Sequence, residues 1–148
     1  MNGLTTTTDD SAGSPLKASA ELRFTIPSTP AALASAVRVV RTTMEWMAFE
    51  KDWVFRAELC LQEALLNAYY HGNEENARRE IHVVCSLAPG KVELDVEDQG
   101  KGYDAFQCSD SPLAGDHHGR GLYLIRHYMS SVAIHGNGAR IVMCLNKE

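Results

Sequence analysis

Leu61-Gln62-Glu63-Ala64-Leu65-Leu66-Asn67-Ala68-Tyr69-Tyr70-His71-Gly72 is the stretch on which the fold turns. It reads as the second half of a helix that begins near Asp52 and ends near Gly72-Asn73. Val54, Ala57, Leu61, Ala64 and Ala68 recur at steps of three and four and form one apolar stripe. Glu63 and Asn67 are one turn apart, so they stack on roughly the opposite side. A solvated face normally mixes both signs of charge, yet no Lys or Arg occurs between Arg56 and Arg78. Leu59, Leu66 and Tyr70 flank the pair instead. A carboxylate and an amide in such a wall are costly to desolvate unless something binds them. The plainer alternative is a partly solvated Glu with an Asn neighbour.

The flanking segments supply a sheet. Leu22, Phe24 and Ile26 alternate with Arg23 and Thr25, which predicts a first half-buried strand. Ser28-Thr29-Pro30 then starts a helix, with a capping hydroxyl and Pro at the first helical position. Leu33, Val37, Val40, Met44 and Met47 carry it to about Phe49, and Asp52 is a plausible cap for the second helix. Beyond the polar loop Asn73–Arg79, Ile81, Val83, Cys85 and Leu87 alternate in a strand that turns at Ala88-Pro89-Gly90. On the returning strand Lys91, Glu93, Asp95 and Glu97 share one face, and Val92, Leu94 and Val96 the other. Asp98 continues the apolar parity, so a carboxylate ends the buried row unless the strand stops at Glu97. Burial without a partner would favour its protonated form.

Gln99-Gly100-Lys101-Gly102 follows, then a long stretch from Tyr103 to His118 rich in Ser, Asp, Gly, Pro and His; loops of that length in compact domains are functional or disordered. Gly119-Arg120-Gly121 stands directly before a short apolar helix, Leu122 to Met129. Val132 and Ile134, a Gly136-Asn137-Gly138 turn, and Ile141, Met143 and Leu145 make a closing hairpin. The expected architecture is an α/β two-layer sandwich: a mixed, mostly antiparallel sheet covered by helices on one face, its other face polar. Residues 1–20, rich in Thr, Ser, Gly and Asp and without a signal-peptide pattern, are expected to be a disordered leader, and 21–148 a single domain.

Composition narrows the function classes. The 148 residues carry a net charge of −5, against a nonspecific nucleic-acid binder. No apolar run approaches the roughly 20 residues of a membrane span. Cys60, Cys85, Cys108 and Cys144 are scattered without metal-ligand spacing, as expected of a reduced, cytoplasmic protein. There is no G-x-x-x-x-G-K-[ST] phosphate loop, and no G-x-G-x-x-G follows an opening strand. Either glycine pair, Gly100/Gly102 or Gly119/Gly121, would alone pass for turn punctuation.

Together, and in order, they are more specific. E-x-x-x-N on a helix, D-x-G-x-G at a strand end, a long loop and G-x-G-L-x-L-I at a helix start resemble the GHKL ATPase superfamily, with its N box, two glycine boxes and lid (the Bergerat fold). Within it the chain is most similar to the small anti-sigma factor serine/threonine kinases of bacterial partner switching. The resemblance rests on Gln62–Ala68 with His71-Gly72, on Val96–Asp104 and on Gly119–Ile125, and spans Leu22 to Lys147. A free-standing histidine kinase core fits less well, because no dimerising helix with a phospho-accepting His precedes the domain.

The resemblance implies ATP and Mg²⁺ as cofactors. Asn67 offers an oxygen to Mg²⁺, a hard ion that bridges phosphates, and Glu63 is the general base. Asp98 accepts a hydrogen bond from the adenine amino group, where guanine would present an oxygen. Gly100 and Gly102 let backbone pass close to base and sugar, and Asp104 fixes the turn. Gly119, Arg120, Gly121 and Leu122 bring backbone amides and a helix start to the phosphates; Arg120 either neutralises phosphate charge or faces solvent. Tyr103 to His118 contains no Lys or Arg, which departs from what a triphosphate wants of a lid and leaves His117 and His118 as its only basic residues. The implied partners are a STAS-type anti-sigma factor antagonist as substrate and a sigma factor to be sequestered, with no nucleic acid or membrane, and with homodimerisation. A non-catalytic ATP-gated binding module and a switch kinase acting on a scaffold are the competing functions.

Overall fold

The computed structural model describes residues 18–101, 117–136 and 139–147. Gly102, Asp104, Cys108, most of the expected lid, and Asn137-Gly138 lie outside them, as does the expected leader through residue 17. Five strands, β1 (Ala20–Pro27), β2 (Glu80–Ala88), β3 (Lys91–Asp98), β4 (Ser131–His135) and β5 (Arg140–Asn146), form one sheet in the order β1-β2-β3-β5-β4. Three helices, α1 (Pro30–Trp46), α2 (Lys51–Asn67) and α3 (His117–Tyr128), accompany them.

All four strand pairs are antiparallel, so the sheet is not mixed. The two strands that run the same way across α3, β3 and β4, are not neighbours, because β5 inserts between them. The helices supply Leu33, Val40, Leu61, Leu65, Leu122 and Ile125 to a core whose other wall is the inward row of the strands. Ile81, Val83, Cys85 and Leu87 face Val92, Leu94 and Val96, and Met143 and Leu145 extend the row. The opposite face is polar and carries a two-pronged Arg140–Asp95 pair, with Nη2 2.6 Å from Oδ2.

Local chemistry sets the helix ends. Thr29 caps α1, its Oγ1 accepting from the Ala32 amide at 3.3 Å, with Pro30 opening the helix. α1 stops at Trp46, short of the expected Phe49, because Ala48 takes a left-handed φ of 62° and the Phe49 amide turns back to the Met44 carbonyl at 3.1 Å. Asp52 does not cap α2. It lies inside the first turn and pairs with Arg56 at 2.9 Å, one turn on, at the end where a carboxylate is favoured.

The deciding stretch departs from expectation at its end. The α-helix stops at Asn67, and Ala68–Gly72 continues as a π-helical turn, closed by the Asn73 amide on the Ala68 carbonyl at 2.7 Å. Such wide turns are frequent at functional sites. No described helix is long and apolar enough to cross a membrane.

Candidate active site

Two clusters form at opposite ends of the segment Glu63–Gly72. At the first, α3 crosses α2 so closely that a Cβ on Gly121 would sit 2.9 Å from Glu63 Oε2 and 3.3 Å from Asn67 Nδ2. A side chain at 121 would press on the Glu63 carboxylate, so the glycine lets Glu63 and Asn67 come together undisturbed under the start of α3. Glu63 is half-buried, and burial raises its carboxyl above the ordinary range, with the charge of Arg120 acting in the opposite direction.

At the second cluster, β3 runs on through Asp98, which pairs with Ile81 and donates its amide to the Ala139 carbonyl at 2.9 Å. The side chain therefore points inward, as the alternation predicts, and is only 7% exposed. Its Oδ1 accepts from the Gly100 amide at 2.8 Å. Burial raises this carboxyl too; the Gly100 amide and Arg79 oppose the shift, and Glu97 adds to it. A Cβ on Gly72 would overlap both carboxylate oxygens, and one on Gly100 would overlap the Gly72 carbonyl. The buried acid thus lies in a cradle whose walls are backbone.

Of the residues singled out from sequence, Glu63, Asn67 and Gly121 meet at one cluster, and Asp98 and Gly100 at the other. Gly119, Arg120 and Gly121 fall within the first turns of α3, which starts at His117, and so do not precede the helix. Arg120 is exposed. Leu122 is 2% exposed and belongs to the core, so its side chain serves packing and only its backbone is left for a ligand. Gly102 and Asp104 lie outside the described residues.

Gly72, Asn73 and Gln99 join the Asp98 cluster, although the sequence does not single them out as site residues. Gly72 reads from sequence as a helix terminator, but its φ is not left-handed; the Asp98 carboxylate is what requires a glycine there. Asn73, fully buried, joins the end of the π turn to Gln99, and nothing in its local sequence marks it out.

The donor set fits an adenine nucleotide with a hard cation. A buried carboxylate with one oxygen committed to a backbone amide and bordered by side-chain-free positions can take a hydrogen bond from an exocyclic amine. An amide oxygen one helical turn from a second carboxylate suits a metal that bridges phosphates. The fold is a two-layer α/β sandwich with both clusters beside the α2–π segment. The chain belongs to the histidine kinase-like ATPase domain family, whose model matches residues 26–145. Among solved structures it is similar to the crystal structure of the RsbU and RsbW domains of Rv1364c from Mycobacterium tuberculosis, at 18% identity and a TM-score of 0.61. That match covers 87% of this chain but only 32% of the other. No match was found among curated proteins.

Proposed function

We propose that the chain is an ATP- and Mg²⁺-dependent protein serine/threonine kinase that phosphorylates a STAS-type anti-sigma factor antagonist and, as an anti-sigma factor, sequesters a sigma factor in the cytoplasm. The observation that carries this is the contact of Gly121 with Glu63 and Asn67, which sets a carboxylate and a metal-type ligand side by side where α3 begins. The motif resemblance to partner-switching kinases supports the choice of substrate.

Mg²⁺, when bound, would offset the charge of the phosphates and align them. Asn67 Oδ1 would hold the ion, and Asp98, packed against Gly72 at the other end of the helical segment, would fix the base. Glu63 accepts the proton of the serine or threonine hydroxyl as that oxygen takes up the γ-phosphoryl group and ADP leaves. Burial raises the proton affinity of Glu63, which suits a base working near neutral pH. The exposed Arg120 guanidinium, close enough to act on Glu63, adds positive charge beside the phosphates.

Glu63→Gln tests the assignment. With labelled ATP, Mg²⁺ and candidate STAS proteins, phosphorylation should fall by about 10²- to 10⁴-fold while ATP affinity is retained. Undiminished transfer removes Glu63 as the base. ATP binding by the wild-type chain without transfer to any STAS protein favours the non-catalytic, ATP-gated module. Pull-down with sigma factors, with and without ATP, decides the sequestering role.

A further inference from the structure

The geometry points to Asn73 as a positioning residue for base recognition, acting through the residues on either side of Asp98. This rests on the nucleotide reading given above and extends it to a side chain that would not touch the ligand.

Asn73 is fully buried, and every hydrogen-bonding group of its side chain is used. Nδ2 donates to Ser28 Oγ at 2.6 Å and to the Glu80 carbonyl at 2.9 Å. Oδ1 accepts from the Gln99 amide at 2.9 Å. Two donors and one acceptor at one point are what an amide supplies and a carboxylate or hydroxyl does not. The backbone amide of Asn73 also closes the π turn on Ala68. One residue therefore ties together the end of the π turn, the entry to β2, the link between β1 and α1, and the exit of β3.

The consequence falls on Asp98. Gly72, directly before Asn73, forms the wall against both carboxylate oxygens. Gln99, directly after Asp98, is held by Asn73 Oδ1, and the Gln99 side chain returns to the Glu80 amide at 2.8 Å. The next amide, that of Gly100, binds Asp98 Oδ1. Asn73 thus fixes both flanks of the base-reading carboxylate, and a buried polar hub with all its groups satisfied specifies one arrangement rather than several. Removing it leaves the Gln99 amide and the Glu80 carbonyl without their partner and lets the cradle loosen around Asp98.

Calorimetric titration of the full chain with Mg·ATP and Mg·ITP tests this, because inosine lacks the amino group that Asp98 would read. The wild type should prefer ATP. In Asn73→Ala the ATP-over-ITP preference should drop by about tenfold, the effect of losing one well-placed buried hydrogen bond. In the nucleotide-free variant the Gln99 amide should also exchange faster with solvent. A purely structural role would weaken both nucleotides alike and keep their ratio. Should Asn73→Ala fail to fold, Ser28→Ala, which removes one Nδ2 partner, must lower the ratio in the same direction. An unchanged ratio in the folded variant overturns the role of Asn73 while leaving the kinase proposal standing. Failure of the wild type to bind ATP overturns both.

Discussion

Gly72→Ala isolates the contact on which the base end of the site depends. The added methyl would overlap both oxygens of Asp98. Neither side can retreat freely: Oδ1 is tied to the Gly100 amide at 2.8 Å, and Asn73 anchors the backbone after Gly72. Nor can the chain slide toward β3, because the Gly72 carbonyl already lies where a Gly100 side chain would be. Overpacking of this kind costs about 1–3 kcal/mol. For a chain of this length that lowers the melting temperature by roughly 2–4 °C per kcal/mol. Displacing the carboxylate would also remove the charge-assisted hydrogen bond to the base proposed above, about 1.5–3 kcal/mol, so ATP affinity should fall about ten- to hundredfold. Thermal denaturation and ATP titration should be run on the wild type, Gly72→Ala, Asp98→Ala and the double variant. In the Asp98→Ala background the methyl has room, so its thermal cost should largely vanish while ATP affinity stays low. That non-additivity is the signature of direct contact. Full ATP affinity in Gly72→Ala, or an undiminished thermal cost in the double variant, would refute the reasoning.

Two further outcomes bear on the other end. Gly121→Ala places its methyl 2.9 Å from Glu63 Oε2, so the carboxylate must shift by a few tenths of an ångström. Phosphoryl transfer should then fall about tenfold or more while ATP affinity changes little, since small misplacements cost rate more than binding; a matching loss of both would place Gly121 elsewhere in the mechanism. The pH dependence of stability follows from the two raised carboxyls. The folded chain holds protons on Glu63 and Asp98 that the unfolded chain has already released, so the contribution of these groups is most favourable at acid pH. It declines as pH rises from the ordinary carboxylate range through the raised folded values. Glu63→Gln, measured by denaturation midpoints across that range, should flatten the decline, and a steeper one would contradict the raised value.

Regular elements were legible because period carries them. The two-residue alternation from Val92 to Asp98 marks both the strand and the inward carboxylate, and the Val54–Ala68 stripe marks α2. The spacing of Glu63 and Asn67 likewise places them on one face. What escaped notice depends on segments far apart in the chain. Gly72 needs to be glycine because of a carboxylate on β3, and Asn73 is buried because of Ser28 and Gln99. No local pattern records such pairings. Asp52 shows a local signal displaced by two positions: the residue that resembles a cap serves as a first-turn acid, and Glu50 occupies the cap position without a side-chain bond. The start of α3 departs from expectation for a related reason, since two glycines suggest a loop but here lie inside a helix pressed against a neighbour.

The helical segment from Glu63 to Gly72, α-helical to Asn67 and π-helical beyond it, acts as the ruler of the molecule. It sets how far the Asp98 cluster lies from the Glu63 cluster, and the rotation between them. Each α-helical residue contributes about 1.5 Å of rise and 100° of rotation. An insertion or deletion anywhere in this interval would swing Glu63 out of alignment with Asp98, however well the sheet still formed. Length changes between β3 and α3 leave that spacing untouched.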